Sequence, residues 1–92
     1  MPVEHNSSSK KFYIPLKESE AYLKYNLNDH IMNILSVVVP EEDRNKGIAE
    51  RLTLYVFRYA KKKSLKIIPT CPYVRNTFIK KHKEFDEMII SS

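Results

Sequence analysis

Between Pro40 and Ile48 the hydrophobic period of this chain switches from two residues to about 3.6, and that switch constrains the fold more than any other feature. Upstream, Phe12, Ile14 and Leu16 alternate with Tyr13 and Pro15, a strand pattern whose proline suits a sheet edge. Ala21, Leu23, Tyr25 and Leu27 then share one face, with Tyr22, Lys24 and Asn26 on the other. Asn28, Asp29 and His30 read as a turn between antiparallel neighbours. The run IMNILSVVVP is denser in β-branched residues, which predicts a central strand covered on both faces and ending at Pro40.

Downstream of the switch, Ile48, Leu52, Tyr55, Val56 and Tyr59 recur at helical spacing. Lys61, Lys62 and Lys63 close that helix, where its dipole favours cations. LKIIP follows as a short buried strand, most simply parallel to the preceding one through a right-handed crossover. Pro72 opens a second helix over CPYVRNTFIKKH, and EFDEMII adds a last apolar turn. The expected order is β-β-β-α-β-α: a mixed, mostly antiparallel sheet with one parallel βαβ unit, on the border of α+β and α/β. Residues 1–10 are polar and predict a flexible arm, leaving 11–92 as a single domain.

Composition narrows the function classes. Ninety-two residues suffice for one small core, and six Tyr, four Phe and a 42% hydrophobic content exclude a disordered tail. No apolar run reaches the length of a membrane span, and MPVEHNSSSKK lacks the apolar stretch of a secretory signal. The lone cysteine, Cys71, rules out an intrachain disulfide and suggests a reducing, cytoplasmic setting. A net charge of +5 is compatible with nucleic acid, an anionic membrane surface or a phosphorylated ligand, and equally with solvated lysines. No His, Cys, Asp or Glu set has metal-ligand spacing.

Two stretches carry candidate chemistry. RNKGIA holds the sole glycine, Gly47, between a strand and a helix start, where main-chain N–H groups lack intrahelical partners. Such a turn holds a phosphate through those donors, with Arg44 and Lys46 adding charge. Its plain alternative is a glycine that tightens a helix entry, with Asp43 or Asn45 as the cap. Cys71 ends the last strand just before a helix N-terminus, a position that lowers a thiol pKa; its plain alternative is a small buried hydrophobe. Both stretches fall at the carboxyl ends of strands expected to be parallel neighbours, where open α/β sheets bind ligands.

VVVPEEDRNKGIAERL resembles the acyl-coenzyme A loop of GNAT-type N-acetyltransferases, Arg/Gln-x-x-Gly-x-Gly/Ala, read here as Arg44, Asn45, Lys46, Gly47, Ile48 and Ala49. IIPTCPYVRNTFIKKHKEF is similar to the strand-Cys-Pro-Tyr/Phe-Val segment of the small, truncated members of that family. The resemblance spans roughly residues 10–90 and implies a minimal GNAT-like fold. It implies acetyl transfer from acetyl-coenzyme A to an amine, on a small molecule, a protein lysine or an N-terminus. Backbone N–H groups of residues 44–49 would hold the pyrophosphate, and Val37, Val38 and Val39 the pantetheine arm. Tyr73 and Asn76 would touch the coenzyme, and Cys71 would act as nucleophile or as proton donor to the departing thiolate. Two positions depart from the pattern: Phe78 stands where larger members carry a tyrosine, and Ser36-Val37 where small members carry His-Thr. They motivate a second expectation, a non-catalytic acyl-coenzyme A-binding module. A third, a basic nucleic-acid-binding domain, is disfavoured because no strand has the closely spaced aromatics of an RNA-recognition sheet. His82 is expected to cap or pack the last helix, and Lys80, Lys81 and Lys83 to form a solvated face with some reach toward a 3′-phosphate.

Overall fold

The computed structural model describes residues 2–90. Five strands form one sheet in chain order: β1 (Glu4–Asn6), β2 (Lys11–Pro15), β3 (Glu20–Asn28), β4 (Ile31–Val38) and β5 (Lys66–Pro69). The first four pair antiparallel, and β4 pairs parallel with β5 across helix α1 (Ile48–Lys62). A π-helical turn, Val74–Phe78, runs into the short α2 (Ile79–Lys81), and a 3-10 segment follows over Lys83–Met88. The expected mixed sheet with one parallel βαβ unit is therefore present, within ±2 residues at most boundaries.

The apolar alternation explains the packing. Phe12, Ile14, Ala21, Leu23, Met32, Ile34 and Ile67 are fully buried on one sheet face. Leu52, Val56, Phe57 and Ala60 of α1 meet them there. The C-terminal segments pack on the same side, since the Phe57 ring lies 4.8 Å from Phe78 and 5.2 Å from Phe85. The expectation that β4 is covered on both faces does not hold. Ile31 and Leu35 are 37% and 36% exposed, and no side chain of the opposite face is buried among the described residues. Density of β-branched residues does not distinguish a two-sided strand from one whose second face is left open.

Residues 1–10 also differ from the expected arm. Glu4–Asn6 add the edge strand β1, with His5 opposite Phe12. The arm's residue 1 and the domain's residues 91–92 lie outside the described residues. A three-residue polar strand has no readable period, so only its pairing reveals it. His5 supplies the attachment: its ring stacks on Phe12 at 3.9 Å and shares a 2.6 Å hydrogen bond with the Tyr25 hydroxyl. Burial among these rings holds the His5 pKa below 6.5. Protonation therefore favours the undocked strand: the contribution of His5 is complete above that ordinary value and is lost as pH falls below it. Amide protection over Glu4–Asn6 is expected to drop between neutrality and about pH 5 in the wild type and to stay level in His5→Phe. Unchanged wild-type protection over that range counts against this role.

Candidate functional site

The carboxyl ends of β4 and β5 separate, and the reason lies in two residues. Parallel pairing stops at Ile34 opposite Pro69, which has no N–H to extend the ladder. On the other side of β4 the register jumps from Ile34 opposite Tyr25 to Ser36 opposite Lys24, so Leu35 is a bulged residue without a partner. Beyond this point β4 pairs with β3 alone. The last contact on that side is the Cys71 N–H, which donates to the Ile34 carbonyl at 2.9 Å, and the β5-facing backbone edge of residues 35–38 is left open.

The loop after β4 closes the other side. Glu41–Asp43 form a 3-10 turn, and the Arg44 side chain folds back so that Nε donates to the Val39 carbonyl at 3.1 Å. Asn45 and Gly47 both adopt left-handed conformations, with φ of 66° and 76°. Gly47, not Asp43 or Asn45, occupies the N-cap of α1, and no side chain caps this helix. The first N–H groups of α1 therefore face the loop without a side-chain partner, and they carry the positive end of the helix dipole. The absence of a cap is the useful feature here: a serine or aspartate in its place would occupy those donors.

Strand edge, loop and helix start enclose a cavity of about 550 Å³, within the usual size of small-molecule sites. Val37, Val38, Val39, Arg44, Asn45, Gly47, Ile48, Ala49 and Tyr73 all line it. Lys46 and Asn76, also singled out from the sequence, do not. Lys46 is exposed and pairs with Asp43 at 3.5 Å, and Asn76 is exposed on the π-turn. Cys71 is a free thiol, 4% exposed, and is not among the residues that line the cavity. Tyr73, two residues on, does reach the cavity. Burial, then the charges of Glu50 and Cys71, raise its phenol pKa above 10.0, so it holds its proton throughout the neutral range. Phe78 is 1% exposed and packs against Phe57, Phe85 and His82, so the ring at this position belongs to the core.

Two wall residues escaped the sequence reading: Asp43 and Glu50. Acidic residues in a loop read as an anion cradle look like contrary signals; Asp43 pairs within the loop with Lys46, whereas the partners of Glu50 come from elsewhere in the chain. Glu50 Oε2 lies 2.6 Å from His82 Nε2 and 3.1 Å from Lys81 Nζ, residues more than 30 positions away. Those contacts, led by the hydrogen bond to His82, hold the Glu50 carboxyl below its ordinary pKa of 4.5. Among the described residues no group of three metal-ligating side chains forms, and no helix is long and apolar enough to cross a membrane.

A family model described as GCN5-related N-acetyl-transferase matches residues 11–88. The fold is also similar to the solution structure of a GCN5-like candidate N-acetyltransferase from Staphylococcus aureus. The two chains are 22% identical with a TM-score of 0.76, over 99% of this chain and 89% of that one. At that identity the likeness concerns the fold.

Proposed function

The chain belongs to the GCN5-related N-acetyltransferase family, and we propose that it binds acetyl-coenzyme A in the cavity beside Gly47 and transfers the acetyl group to an amine. Within the family we place it with the small Cys-Pro-Tyr-Val type. The observation that carries the reading is the coincidence of an uncapped helix start, a left-handed glycine and an unpaired strand edge around one cavity. Uncapped N–H groups of the α1 start suit a pyrophosphate. The open edge at Val37, Val38 and Val39 suits an amide-bearing arm, which adds its own donors and acceptors as an extra strand does. Bound there, the coenzyme supplies a thioester whose carbonyl carbon is open to attack by a neutral amine.

In the reaction the amine nitrogen forms a bond to the acetyl carbon, the carbon–sulfur bond breaks, and the nitrogen gives up a proton while the thiolate gains one. Tyr73, protonated and in the wall, has a proton to offer the departing thiolate. Cys71 is the candidate nucleophile or proton donor, and trapping separates the two roles. An acetylated Cys71 found by mass spectrometry after brief mixing with acetyl-coenzyme A, and lost with added amine, marks the covalent route. The acceptor is an amine on a small molecule, a protein lysine or an N-terminus, and the free thiol suits a reducing cytoplasm.

Calorimetry with acetyl-coenzyme A tests the reading, with binding in the micromolar range expected and none at millimolar ligand overturning it. Cys71→Ala is expected to keep that affinity within about threefold and to lose at least about 100-fold in turnover. Normal turnover in this variant removes the role of Cys71 and leaves the binding site standing. A second reading, a binding module without chemistry, is favoured by the burial of Cys71, which does not line the cavity, and by Ser36 in the place of a histidine. Acetylated product from any amine of a broad acceptor panel rules it out.

A further inference from the structure

A second cavity, of about 520 Å³, opens on the outer face of α1 and shares no wall residue with the first. Its wall comes from Arg51, Leu54, Tyr55 and Arg58 of the helix and from Pro2 and Val3 of the N-terminal segment. The four helical residues follow the spacing i, i+3, i+4, i+7, so they form one stripe. Arg51 and Arg58 lie two turns apart, about 10.5 Å along the axis, with Tyr55 between them. Val3 directly precedes β1, and the pairing of β1 with β2 holds that segment to the fold, so the unexpected edge strand completes this wall.

The chemistry of the wall is one-sided. Arg51 and Arg58 are its charged residues, both exposed, and no carboxylate among the described residues pairs with either. On a merely solvated helix face, acids three or four positions away satisfy such cations. Those positions hold Gly47, Ile48, Leu54, Tyr55, Lys61 and Lys62, none of them acidic. The chain's other two arginines are tied to main-chain carbonyls, Arg44 to Val39 at 3.1 Å and Arg75 to Thr70 at 2.9 Å. Tyr55 is 44% exposed, the most open large hydrophobic side chain of the helix, and its ring lies 6.1 Å from that of Phe12. Val3 and Leu54 are half-buried against the core and add apolar surface beside it.

We propose that this cavity binds a mononucleotide, separately from the coenzyme cavity, with the base on Tyr55 and the phosphate held by Arg51 and Arg58. A guanidinium fork matches phosphate oxygens, and an aromatic ring offers a base its face. The volume is that of a small-molecule site. An inorganic anion would leave the ring and its apolar neighbours uncovered, and an uncharged aromatic would leave both arginines unmatched. A mononucleotide supplies both halves. The inference does not depend on coenzyme binding, since the two cavities have no wall residue in common.

Calorimetry with adenosine 5′-monophosphate at low salt tests the proposal, with a Kd of about 0.1 mM expected. Arg58→Gln is expected to weaken binding about tenfold, and Tyr55→Leu about fivefold. Inorganic phosphate and adenosine, each making half of the contacts, bind at least about tenfold more weakly than the nucleotide. Gly47→Val, which alters the other cavity, keeps the nucleotide affinity within about threefold. Loss of binding in Gly47→Val places the nucleotide in the coenzyme cavity, and full affinity in either Arg58→Gln or Tyr55→Leu places it elsewhere. Each of those results overturns the proposal, as does an absence of binding at about 10 mM nucleotide. A short single strand of DNA that binds more than about tenfold tighter than the nucleotide also overturns it, by assigning the face to a polynucleotide. The coenzyme reading stands or falls on its own titration.

Discussion

Replacing Gly47 by valine is expected to weaken coenzyme A binding by at least about 30-fold while costing the free protein only about 1–2 kcal/mol. The two effects have different origins and the structure separates them. Gly47 has a φ of 76°, in the left-handed region, so any L side chain there is strained. A Cβ built at this position meets nothing within 4 Å, so no clash inside the protein adds to that strain. The space is open because it belongs to the cavity, which Gly47 lines at the N-cap of α1. Two methyl groups placed there stand between an incoming phosphate and the N–H groups of the first helical turn. Urea denaturation and calorimetry on one preparation check both numbers. Affinity retained within about threefold in a folded Gly47→Val protein would show that the ligand does not approach this loop.

Phe57→Ala carries the largest expected effect on stability, about 3–5 kcal/mol. A chain of this length has roughly 5–14 kcal/mol in total, so the variant loses about a fifth or more of it and sits near unfolding if the true value is low. Phe57 is fully buried where α1, the π-turn and the final 3-10 segment meet, with the Phe78 and Phe85 rings within 5.2 Å. Neither neighbour can collapse into the gap without moving its own segment. The π-turn follows directly on Tyr73, a wall residue, so the damage reaches the cavity wall as well. Phe57→Leu, which keeps most of the volume, is expected to recover more than half of the loss. A destabilisation below about 1.5 kcal/mol in Phe57→Ala would mean that the C-terminal segment is anchored elsewhere.

Much of the architecture was legible because local periods report burial directly. The alternation of Phe12 with Ile14 and of Leu23 with Tyr25, then the spacing of Ile48, Leu52 and Val56, marks which side of each element meets the core. The parallel crossover follows from a helix between two strands. The Gly47 loop was legible for a related reason, since a single glycine between a strand and a helix has few conformational uses. Nine of the eleven residues proposed from sequence as coenzyme contacts do line one cavity. The two exceptions, Lys46 between two wall residues and Asn76 three residues beyond Tyr73, are exposed outside the cavity, a direction that spacing alone does not give.

The rest was decided by contacts between residues far apart in the chain. Pairing with Phe12 turns the polar Glu4–Asn6 into a strand, and the bulge at Leu35 with Pro69 opposite Ile34 opens the sheet at the cavity. The second face of β4 is open because no element among the described residues covers it. Glu50 and His82 are 32 positions apart, and neither alone points to the other. By itself the sequence determined the elements, the core faces and the loop built around Gly47, because those depend on neighbours within a turn or a strand. Only the tertiary structure decided where the cavity opens and which charges compensate one another across it, because electrostatics acts through space and not along the chain.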